Sequence, residues 1–491
     1  MTNRAPAWLR LLVTVFALSL LAAACVSTED DEGADGETET TNDDDASASE
    51  PEEEADPEPV EDEADEPADD EATVEDEAEA DDPVELTASW RGVTEDTINI
   101  GVSMLDFALL KDMGLSPSGW GDQQAVWQAL IDDLNARGGI NGRQVSAIYE
   151  FYSPIDAADA ERACTVMHQD NETFANLGGF VGPAGSADPC IVGTNSTTMV
   201  GGEIGSDEEL SQANAPWFHS APTVEFQTFN LLNLLVQTGE ADGAVVFTMG
   251  GAAAADEEGL VLDALEERGI EVVGSAIIEA TDGDTIAQDS EMAVAFERFK
   301  ASGANTLMIF GTPSASIRGA AAAGLTGEIA IWSNDSGGLG NLGATIVDKS
   351  IADGVLVSTG PTDQEIWDDA AFQDQCVAPV AAANIADADL RGPLEYLPEE
   401  ENWFNSIRRY CHMLSIFETI AIAAGPELTP ETFEAAAYGP VGDDFQVPGI
   451  GPASLSPDKR GAQDGVRLSV FDSTSGDGGI VAFTELLDAF E

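Results

Sequence analysis

The sequence has few positive charges. Of its 491 residues, 18 are lysine or arginine and 93 are aspartate or glutamate, which gives a net charge of −75 at pH 7. A protein that binds nucleic acid needs clustered lysine and arginine to contact phosphates. The composition therefore argues against nucleic acid as a partner. We interpret the acidic excess as a solvated surface that stays soluble at high ionic strength, where salt screens self-repulsion.

Metal ligands and catalytic signatures are also scarce. The three histidines, His168, His219 and His412, are scattered, and no two cysteines have the C-x₂-C spacing of a zinc site. Neither a P-loop nor the G-x-S-x-G signature of a hydrolase occurs. Residues 338–343 match G-x-G-x-x-G, but a dinucleotide fingerprint belongs in the first βαβ unit and not in mid-chain. The sequence predicts no cofactor, no metal site and no catalytic residue.

The apolar run Leu11–Leu21 near the N-terminus is too short to cross a membrane as a helix. Arg4 and Arg10 precede it, and small residues follow it, as in an export signal. Cys25 comes directly after those small residues, an arrangement that resembles the lipobox of bacterial lipoproteins. The resemblance implies a signal peptide over residues 1–25 and a lipid anchor at Cys25, on the extracytoplasmic face of the cell membrane. An ordinary secretory signal with an incidental cysteine is the alternative.

Large apolar side chains are almost absent from residue 26 to about residue 86. About a third of the acidic residues lie between Glu29 and Glu85, and no lysine or arginine occurs between Val26 and Trp90. Such a segment cannot bury enough apolar surface to offset the entropy of ordering, and its like charges favour extension. We predict a disordered acidic linker over residues 26–90.

Four cysteines remain when Cys25 is set aside, an even number in a chain predicted to be exported. Sequence order favours disulfides between Cys164 and Cys190 and between Cys376 and Cys411, although three pairings are possible. Each of these bridges would close a loop of about 25–35 residues and contribute roughly 3–4 kcal/mol to stability in the chain-entropy model.

The clearest fold unit begins with Thr97–Val102, a short run rich in β-forming residues. Val126, Leu130 and Leu134 then recur every four residues, which predicts a helix with one apolar face. A Gly-Gly-Ile-Asn-Gly-Arg turn leads into a second predicted strand, Gln144–Tyr149. A strand–helix–strand unit of this kind predicts a parallel sheet with right-handed crossovers.

The alternation of strands and helices continues in two series of similar length, which predicts two doubly wound α/β lobes. In the first series a helix is predicted near 157–169. The predicted strands of the second series are 243–248, 270–278, 305–310, 328–332 and 354–359. A long amphipathic helix over 401–424 and a late strand over 466–471 follow.

Several of these features together resemble type I periplasmic binding proteins. They are the first strand, the segment L-N-A-R-G-G-I-N-G-R-Q-V, a cysteine pair around a G-P-x-x-S loop, and the late strand V-R-L-S-V-F-D. The sequence is most similar to the leucine/isoleucine/valine-binding (branched-chain amino acid) group of ABC-transporter substrate-binding proteins, from about residue 92 to the end. The resemblance implies two lobes joined by three crossovers, which close on a small ligand like a hinged clamp.

The resemblance also implies boundaries. We expect crossovers near 221–224, near 357–361 and between 456 and 466. Lobe 1 then comprises residues 91–221 and 358–460, and lobe 2 comprises residues 222–357 and 461–491.

A ligand of such a fold belongs beyond the carboxyl ends of the strands, where loops and helix N-termini offer N–H groups. Gly185 and Ser186 match family positions that bind a carboxylate, and Asp335 follows a second-lobe strand where the family often places an acid for a ligand ammonium. The predicted ligand-binding residues are Asp106, Phe107, Gly185, Ser186, Ser206, Thr312, Asp335 and Ser336.

The function implied is that of a non-catalytic, monomeric, lipid-anchored receptor. It would capture a small polar solute, an amino acid or related amide, and pass it to the permease subunits of an ABC transporter. The first alternative is a sensory ligand-binding module for a signalling partner, and the second is an exported enzyme. An enzyme would convert its ligand during incubation, whereas a carrier would return it unchanged.

Overall fold

The computed structural model describes residues 86–489, with gaps at 203, 207–209, 251–253, 281–283, 312, 341, 343–345, 443 and 476–478; the side chains of 254–257 are also outside the description. The predicted signal peptide, Cys25 and nearly all of the predicted acidic linker lie outside the described residues.

The first lobe is built on a five-stranded sheet in the order β2-β1-β3-β4-β5, with all neighbours parallel. Ile98, Ile100, Val102 and Met104 alternate along β1 and are all buried, which is why this segment forms an interior strand of the sheet. The strands are β1 (Thr97–Leu105), β2 (Gln144–Tyr152), β3 (Ala175–Gly178), β4 (Thr198–Gly201) and β5 (Trp217–Phe218).

Three helices accompany these strands: α1 (Phe107–Asp112), α2 (Gln123–Ala136) and α3 (Ala157–Cys164). Helix α2 begins after Asp122, whose carboxylate accepts a hydrogen bond from the Ala125 amide, and buries the predicted apolar face. A π-helical turn, Thr165–Asp170, extends α3, where the sequence predicted one continuous helix. The following loop forms a 3₁₀ helix at Gly182–Ala187 and a π-helical turn at Cys190–Thr194.

Helix α4 (Val224–Thr238) carries the chain into the second lobe and was not predicted from the sequence. Leu231, Leu232, Leu234 and Leu235 are fully buried in the same cluster as the residues of the second sheet. Gly239 ends the helix in the left-handed conformation, with φ +77°.

The second lobe contains an eight-stranded sheet in the order β14-β13-β10-β9-β8-β6-β7, with β15 paired to β13. The strands are β6 (Ala244–Gly250), β7 (Glu271–Ile278), β8 (Thr306–Phe310), β9 (Ala330–Ser333), β10 (Leu356–Thr359), β13 (Gly465–Phe471), β14 (Ile480–Ala482) and β15 (Leu487–Asp488). Strands β6–β10 are parallel, whereas β13 runs antiparallel to β10 and adds an antiparallel edge. Its helices are α5 (Ala254–Glu267), α6 (Thr285–Ser302), α7 (Pro313–Ala322) and α8 (Ser336–Gly340).

After β10 the chain returns to the first lobe. Ile366, Phe404, Phe417 and Phe433 are buried in one cluster with the residues of β1 and α2. The helices of this return are α9 (Asp363–Asp368), α10 (Ala370–Phe372), α11 (Ala378–Ala382), α12 (Trp403–Ala423) and α13 (Pro430–Tyr438). A small hairpin, β11 (Phe445–Val447) and β12 (Gly451–Ala453), follows and was not predicted.

The chain therefore passes between the lobes three times, between β5 and α4, between β10 and α9, and between β12 and β13. The predicted fold of two α/β lobes with three crossovers is confirmed. The sequence boundaries assigned to each lobe remain a prediction.

Two disulfides join Cys164 to Cys190 and Cys376 to Cys411, the pairing favoured by sequence order. All four cysteines are buried. The first bridge ties α3 to the π-helical turn after the 182–187 loop, and the second ties the segment before α11 to α12.

The Gly-Gly-Ile-Asn-Gly-Arg turn is held by its arginine. Arg143 is fully buried, and its guanidinium donates hydrogen bonds of 2.7–2.8 Å to the carbonyl oxygens of Thr87, Thr94 and Pro426. One side chain thus joins the entry to β1, the turn before β2 and the segment after α12.

Candidate functional site

A first cavity of about 100 Å³ lies at the carboxyl edge of the five-stranded sheet. Its wall includes Ser103 at the end of β1, Gly178 at the end of β3, Gly201 at the end of β4 and His219 just after β5. The carboxyl ends of parallel strands meet at one edge of a sheet, and this edge is where ligands bind in open α/β folds.

Two Gly-Gly pairs allow the loops after β3 and β4 to pass close together at this edge. A Cβ atom on Gly179 would lie 2.5 Å from the Cα of Gly202, and a Cβ on Gly201 would lie 2.7 Å from the carbonyl oxygen of Gly178. Any larger residue would push these loops apart. This part of the cavity wall therefore consists of glycine backbone and has no side chains.

Hydrogen bonds hold the polar side chains of the first cavity in place. The Tyr410 hydroxyl donates to Gln123 Oε1, and Gln123 Nε2 donates to the Leu105 carbonyl at 2.8 Å. Ser103 Oγ donates to the Gly179 carbonyl at 2.7 Å. Burial raises the pKa of Tyr410, so its hydroxyl stays protonated at neutral pH.

Two side chains of this cavity wall carry nitrogen atoms that can form hydrogen bonds, His219 and Arg409. The His219 ring is buried, and its Nε2 atom makes no hydrogen bond within the described part of the chain. Burial lowers the pKa of His219 to about 4, so the ring is neutral at pH 7. Arg409 is exposed, and its guanidinium lies 5.2 Å from the centre of the Trp120 ring. The cavity wall thus includes a neutral imidazole ring and a positive charge.

A second cavity, of about 240 Å³, lies at the carboxyl ends of β6, β8 and β9 in the second lobe. Asn334 shapes its wall, because Nδ2 donates to Thr228 Oγ1 at 3.0 Å and Oδ1 accepts from the Gly311 amide at 3.2 Å. The Asp335 carboxylate accepts a hydrogen bond of 2.7 Å from the Gly338 amide and so caps α8. Glu225, in the first turn of α4, also lines this cavity.

The walls of the two cavities come near each other at the first crossover. Ala221 lines the first cavity and Val224 lines the second. Residues three apart in the chain have Cα atoms at most about 11 Å apart. Each lobe therefore has one cavity, here called a half-site, and both half-sites reach the first crossover.

Asp106 and Phe107 lie beside the first cavity. The Asp106 carboxylate accepts from the Leu109 amide at 2.9 Å and begins α1, and the Phe107 ring packs 4.9 Å from Trp120. Both residues line a neighbouring groove of about 920 Å³, and Gln123 lines the groove and the first cavity alike. Phe107 therefore contacts Trp120, which lines the first cavity, and does not line that cavity itself.

Gly185 and Ser186 lie in the 3₁₀ helix at 182–187, and neither lines the two cavities. The Ser186 hydroxyl donates to the Pro183 carbonyl at 2.9 Å. In this arrangement the hydroxyl serves the helix itself, and contact of either residue with a ligand remains a prediction.

Of the remaining predicted residues, two lie at the second cavity and two do not line either cavity as described. Asp335 lines the second cavity, and Ser336 is the first residue of α8 directly beside it. The Ser206 carbonyl accepts from the Leu210 amide at 3.0 Å, and Ser206 is not among the residues of either cavity wall. Thr312 lies outside the described residues.

Sequence reasoning missed Trp120, His219, Arg409 and Tyr410 as cavity residues. Arg409 and Tyr410 belong to α12, which was interpreted only as an amphipathic core helix. A usable signal was present, because Arg408 and Arg409 are consecutive cations in a chain with very few.

Within the part of the chain that the structure covers, no helix has the length and apolar character needed to cross a membrane. The same residues contain no group of three or more histidine, cysteine, aspartate or glutamate side chains arranged to hold a metal ion.

Comparison by sequence finds no matching protein-family profile and no matching curated protein. Comparison by structure finds solved proteins of similar fold. The solute-binding protein of an ABC transporter from Rhodopseudomonas palustris HaA2, in complex with p-hydroxybenzoic acid, matches with a TM-score of 0.50 and 16% identity, over 80% of this chain and 98% of the other.

An ABC transporter substrate-binding protein from Desulfitobacterium hafniense, in complex with Leu, matches with a TM-score of 0.51 and 14% identity, over 79% of this chain and 100% of the other. The leucine-, isoleucine-, valine-, threonine- and alanine-binding protein from Brucella ovis, in a closed conformation, matches with a TM-score of 0.51 and 15% identity, over 81% of this chain and 96% of the other. These similarities show that the chain has the type I periplasmic binding fold.

Proposed function

We propose that the chain is the solute-binding component of an ABC importer. The observation that carries this proposal is the pair of cavities, one at the carboxyl edge of each sheet, in two lobes joined by three crossovers. The solved proteins of similar fold that are named as ABC transporter components support it.

Capture works by hinge closure in this proposal. A solute that contacts both half-sites makes its full set of contacts only when the lobes close on it. Binding then shifts the population toward the closed form, because a ligand stabilises the state with which it interacts more strongly. The permease subunits would recognise that closed form, and the solute would be released unchanged.

The solute in this proposal is small and polar, an amino acid or a related amide. The two cavities together reach only the lower end of the range for small-molecule sites, about 300–1,000 Å³. Asp335 lines the second cavity, and in this proposal its carboxylate faces the ligand ammonium. Two of the solved proteins of similar fold are named as binding leucine.

In this proposal the protein is monomeric and is anchored on the extracytoplasmic face of the cell membrane. The lipobox-like sequence at Cys25 supports the anchor, and the acidic composition of residues 26–90 supports an extended linker between the anchor and the lobes. Metabolic labelling with a fatty acid, in cells expressing the chain and the Cys25→Ala variant, tests the anchor; label in both would contradict it.

Thermal-shift screening of the full chain against amino acids and amides tests the proposed capture. A ligand at 100 times its dissociation constant stabilises the folded state by about 2.7 kcal/mol, so the midpoint rises with ligand concentration. Chromatography of the recovered solute should show no conversion. If no solute in the panel shifts the midpoint, or if the solute is converted, the proposal is wrong.

Asp335→Ala and Ser186→Ala test the predicted contacts. We expect both variants to reduce the ligand-induced shift, whereas Asp132→Ala, on the exposed face of α2, should leave it unchanged. An unaltered shift in both test variants would contradict the site assignment and would leave solute capture standing.

A further inference from the structure

The three crossovers lie side by side. The His219 amide donates to the Arg460 carbonyl at 2.9 Å, and the Ala462 amide donates to the His219 carbonyl at 2.8 Å, so the first and third crossovers are hydrogen-bonded to each other. Gly360 of the second crossover packs against Gln463 of the third, because a Cβ atom on Gly360 would lie 2.0 Å from Gln463 Nε2. Rotation of one lobe against the other therefore occurs about this bundle of three segments, here called the hinge.

A third cavity, of about 340 Å³, lies between the lobes and apart from both half-sites. Its wall contains Glu365 of α9 and Ile450 of the β11–β12 hairpin from the first lobe, Leu487 of β15 from the second lobe, and Asp464 of the third crossover. None of the described residues that line it lines a half-site. We call it the rear cavity.

Strand order places the rear cavity on the far side of the hinge from the half-sites. In the order β14-β13-β10-β9-β8-β6-β7, the second half-site lies at the ends of β6, β8 and β9, and the second and third crossovers meet the sheet at β10 and β13. Strand β15 follows β14 and pairs with β13 beyond them. When two rigid bodies rotate about a hinge, one side opens as the other closes. Closure over the half-sites therefore moves the walls of the rear cavity apart.

An ion pair joins the two lobes at the rear cavity. Arg467 Nη2 donates to both carboxylate oxygens of Glu365, at 2.9 Å and 2.8 Å. Arg467 belongs to β13 in the second lobe, and Glu365 lies in the first turn of α9 in the first lobe. The other ion pairs among the described residues lie within one lobe or within the third crossover. The Arg467 side chain is only 6% exposed, so its charge depends on this carboxylate.

The Glu365 carboxylate is fixed to the first lobe. It accepts hydrogen bonds from the Thr362 amide at 2.8 Å and from the Thr362 hydroxyl at 2.9 Å, in a capping box that begins α9. Glu365 therefore cannot follow Arg467 when the second lobe rotates. Closure stretches the ion pair instead of carrying it along.

We propose that the Glu365–Arg467 ion pair is a latch behind the hinge that opposes closure and so sets solute affinity from a distance. This rests on the proposed function and deepens it, because it assigns control of the same capture step to two residues outside the half-sites. Breaking the latch raises the closed fraction. The apparent dissociation constant falls as the binding-competent fraction rises, so solute affinity increases.

A distance measurement across the cleft tests the latch without any solute. Ala108 on α1 and Gly259 on α5 are exposed on the half-site sides of their lobes. Spin labels at Ala108→Cys and Gly259→Cys, in the full chain with Cys25→Ala, report their separation by double electron–electron resonance. We expect Arg467→Met to shift the distance distribution toward shorter values. Glu365→Gln should do the same, since it removes the charge and keeps an oxygen for the capping box.

Titration calorimetry with L-leucine gives the second readout. We expect each latch variant to bind L-leucine about 2- to 10-fold more tightly than the unaltered chain, the range for loss of one partly exposed ion pair. The matched control is Arg318→Met. Arg318 pairs with Asp289 at 2.9 Å with similar exposure, but both residues belong to the second lobe, so neither readout should change. Thermal unfolding of each variant separates a shift in lobe closure from loss of folding.

The outcomes distinguish the latch from the proposed function. If the distance distribution is unchanged or lengthens in both latch variants, or if Arg318→Met shifts it equally, the latch is wrong while capture stands. The same holds if L-leucine binds the unaltered chain and binds the latch variants no more tightly. If the distances shorten but no solute of the panel binds the unaltered chain, the latch stands and the proposed function fails.

Discussion

At the scale of single residues, the three histidines are all buried and uncharged at neutral pH. Burial is the main reason that their pKa values fall below the ordinary 6.5, to about 3 for His168, about 4 for His219 and about 3 for His412. The Nε2 atom of each makes no hydrogen bond to the described residues. The folded state therefore resists protonation at these rings, whereas the unfolded chain accepts protons near pH 6.5.

Acid should destabilise the folded state through these histidines. Their contribution is present above pH 6.5 and is lost as the pH falls from 6.5 toward 4, because the unfolded chain then binds more protons. Each histidine adds up to about 1.4 kcal/mol per pH unit in this window. Urea unfolding at pH 8, 6 and 5 measures the slope. His219→Gln should reduce it by about one proton, and an unchanged slope would contradict the assigned role of His219.

Arg143 is a buried donor on which three backbone carbonyl groups depend for a hydrogen bond. Arg143→Met leaves the carbonyl groups of Thr87, Thr94 and Pro426 without their donor, so we expect a loss of about 3 kcal/mol or more in the free energy of unfolding. The control is Arg137→Met. The Arg137 side chain is 54% exposed, so its loss should cost no more than about 1 kcal/mol. Equal losses in both variants would contradict this account of the turn.

At the scale of elements, α12 joins stability and function. It buries one face in the core of the first lobe, forms a disulfide through Cys411, and presents Arg409 and Tyr410 to the first cavity. The helix is 21 residues long, so one element connects the core to the cavity edge. Movement of α12 would move the Arg409 charge with it.

Removing a disulfide should lower stability by an amount set mainly by the loop that it closes. The two bridges have sequence separations of 26 and 35 residues, so the double-alanine variants at Cys164/Cys190 and at Cys376/Cys411 should each lose about 3–4 kcal/mol. Urea unfolding measures both. Only the second bridge includes α12, so this pair should also weaken binding of a captured solute. A pair whose loss leaves the unfolding free energy unchanged would contradict the prediction.

At the scale of the whole molecule, the excess of 93 acidic over 18 basic residues dominates the electrostatics. Fourteen ion pairs occur among the described residues, and most of them involve exposed side chains whose contributions are small. Repulsion between like charges is therefore the larger effect, and it opposes the compact state.

Salt should accordingly stabilise the protein. Raising NaCl from 0.1 M to 1 M shortens the screening length from about 10 Å to about 3 Å, which weakens the repulsion, so the thermal midpoint should rise. At pH 5, closer to the isoelectric point near 4.1, the same change in salt should raise the midpoint less. A midpoint that falls with salt at pH 7 would show that the ion pairs outweigh the repulsion.

The sequence by itself determined the features that depend on local pattern. The apolar spacing of Val126, Leu130 and Leu134 predicts the buried face of α2, and alternating strand and helix signals predict two α/β lobes. The disulfides also follow sequence order, because each joins a cysteine to the next cysteine along the chain. Helix α4 was not predicted because apolar side chains occur around most of its circumference. Its sequence therefore lacks a clear polar face.

Only the tertiary structure decided the composition of the cavities. Ser103, His219 and Arg409 meet in one wall although they are far apart in the chain. Their meeting depends on where the crossovers return the chain, and no local periodicity encodes that position. The physical reason is that helix and strand preferences act over a few residues, whereas a half-site is assembled from packing contacts between segments separated by a whole lobe.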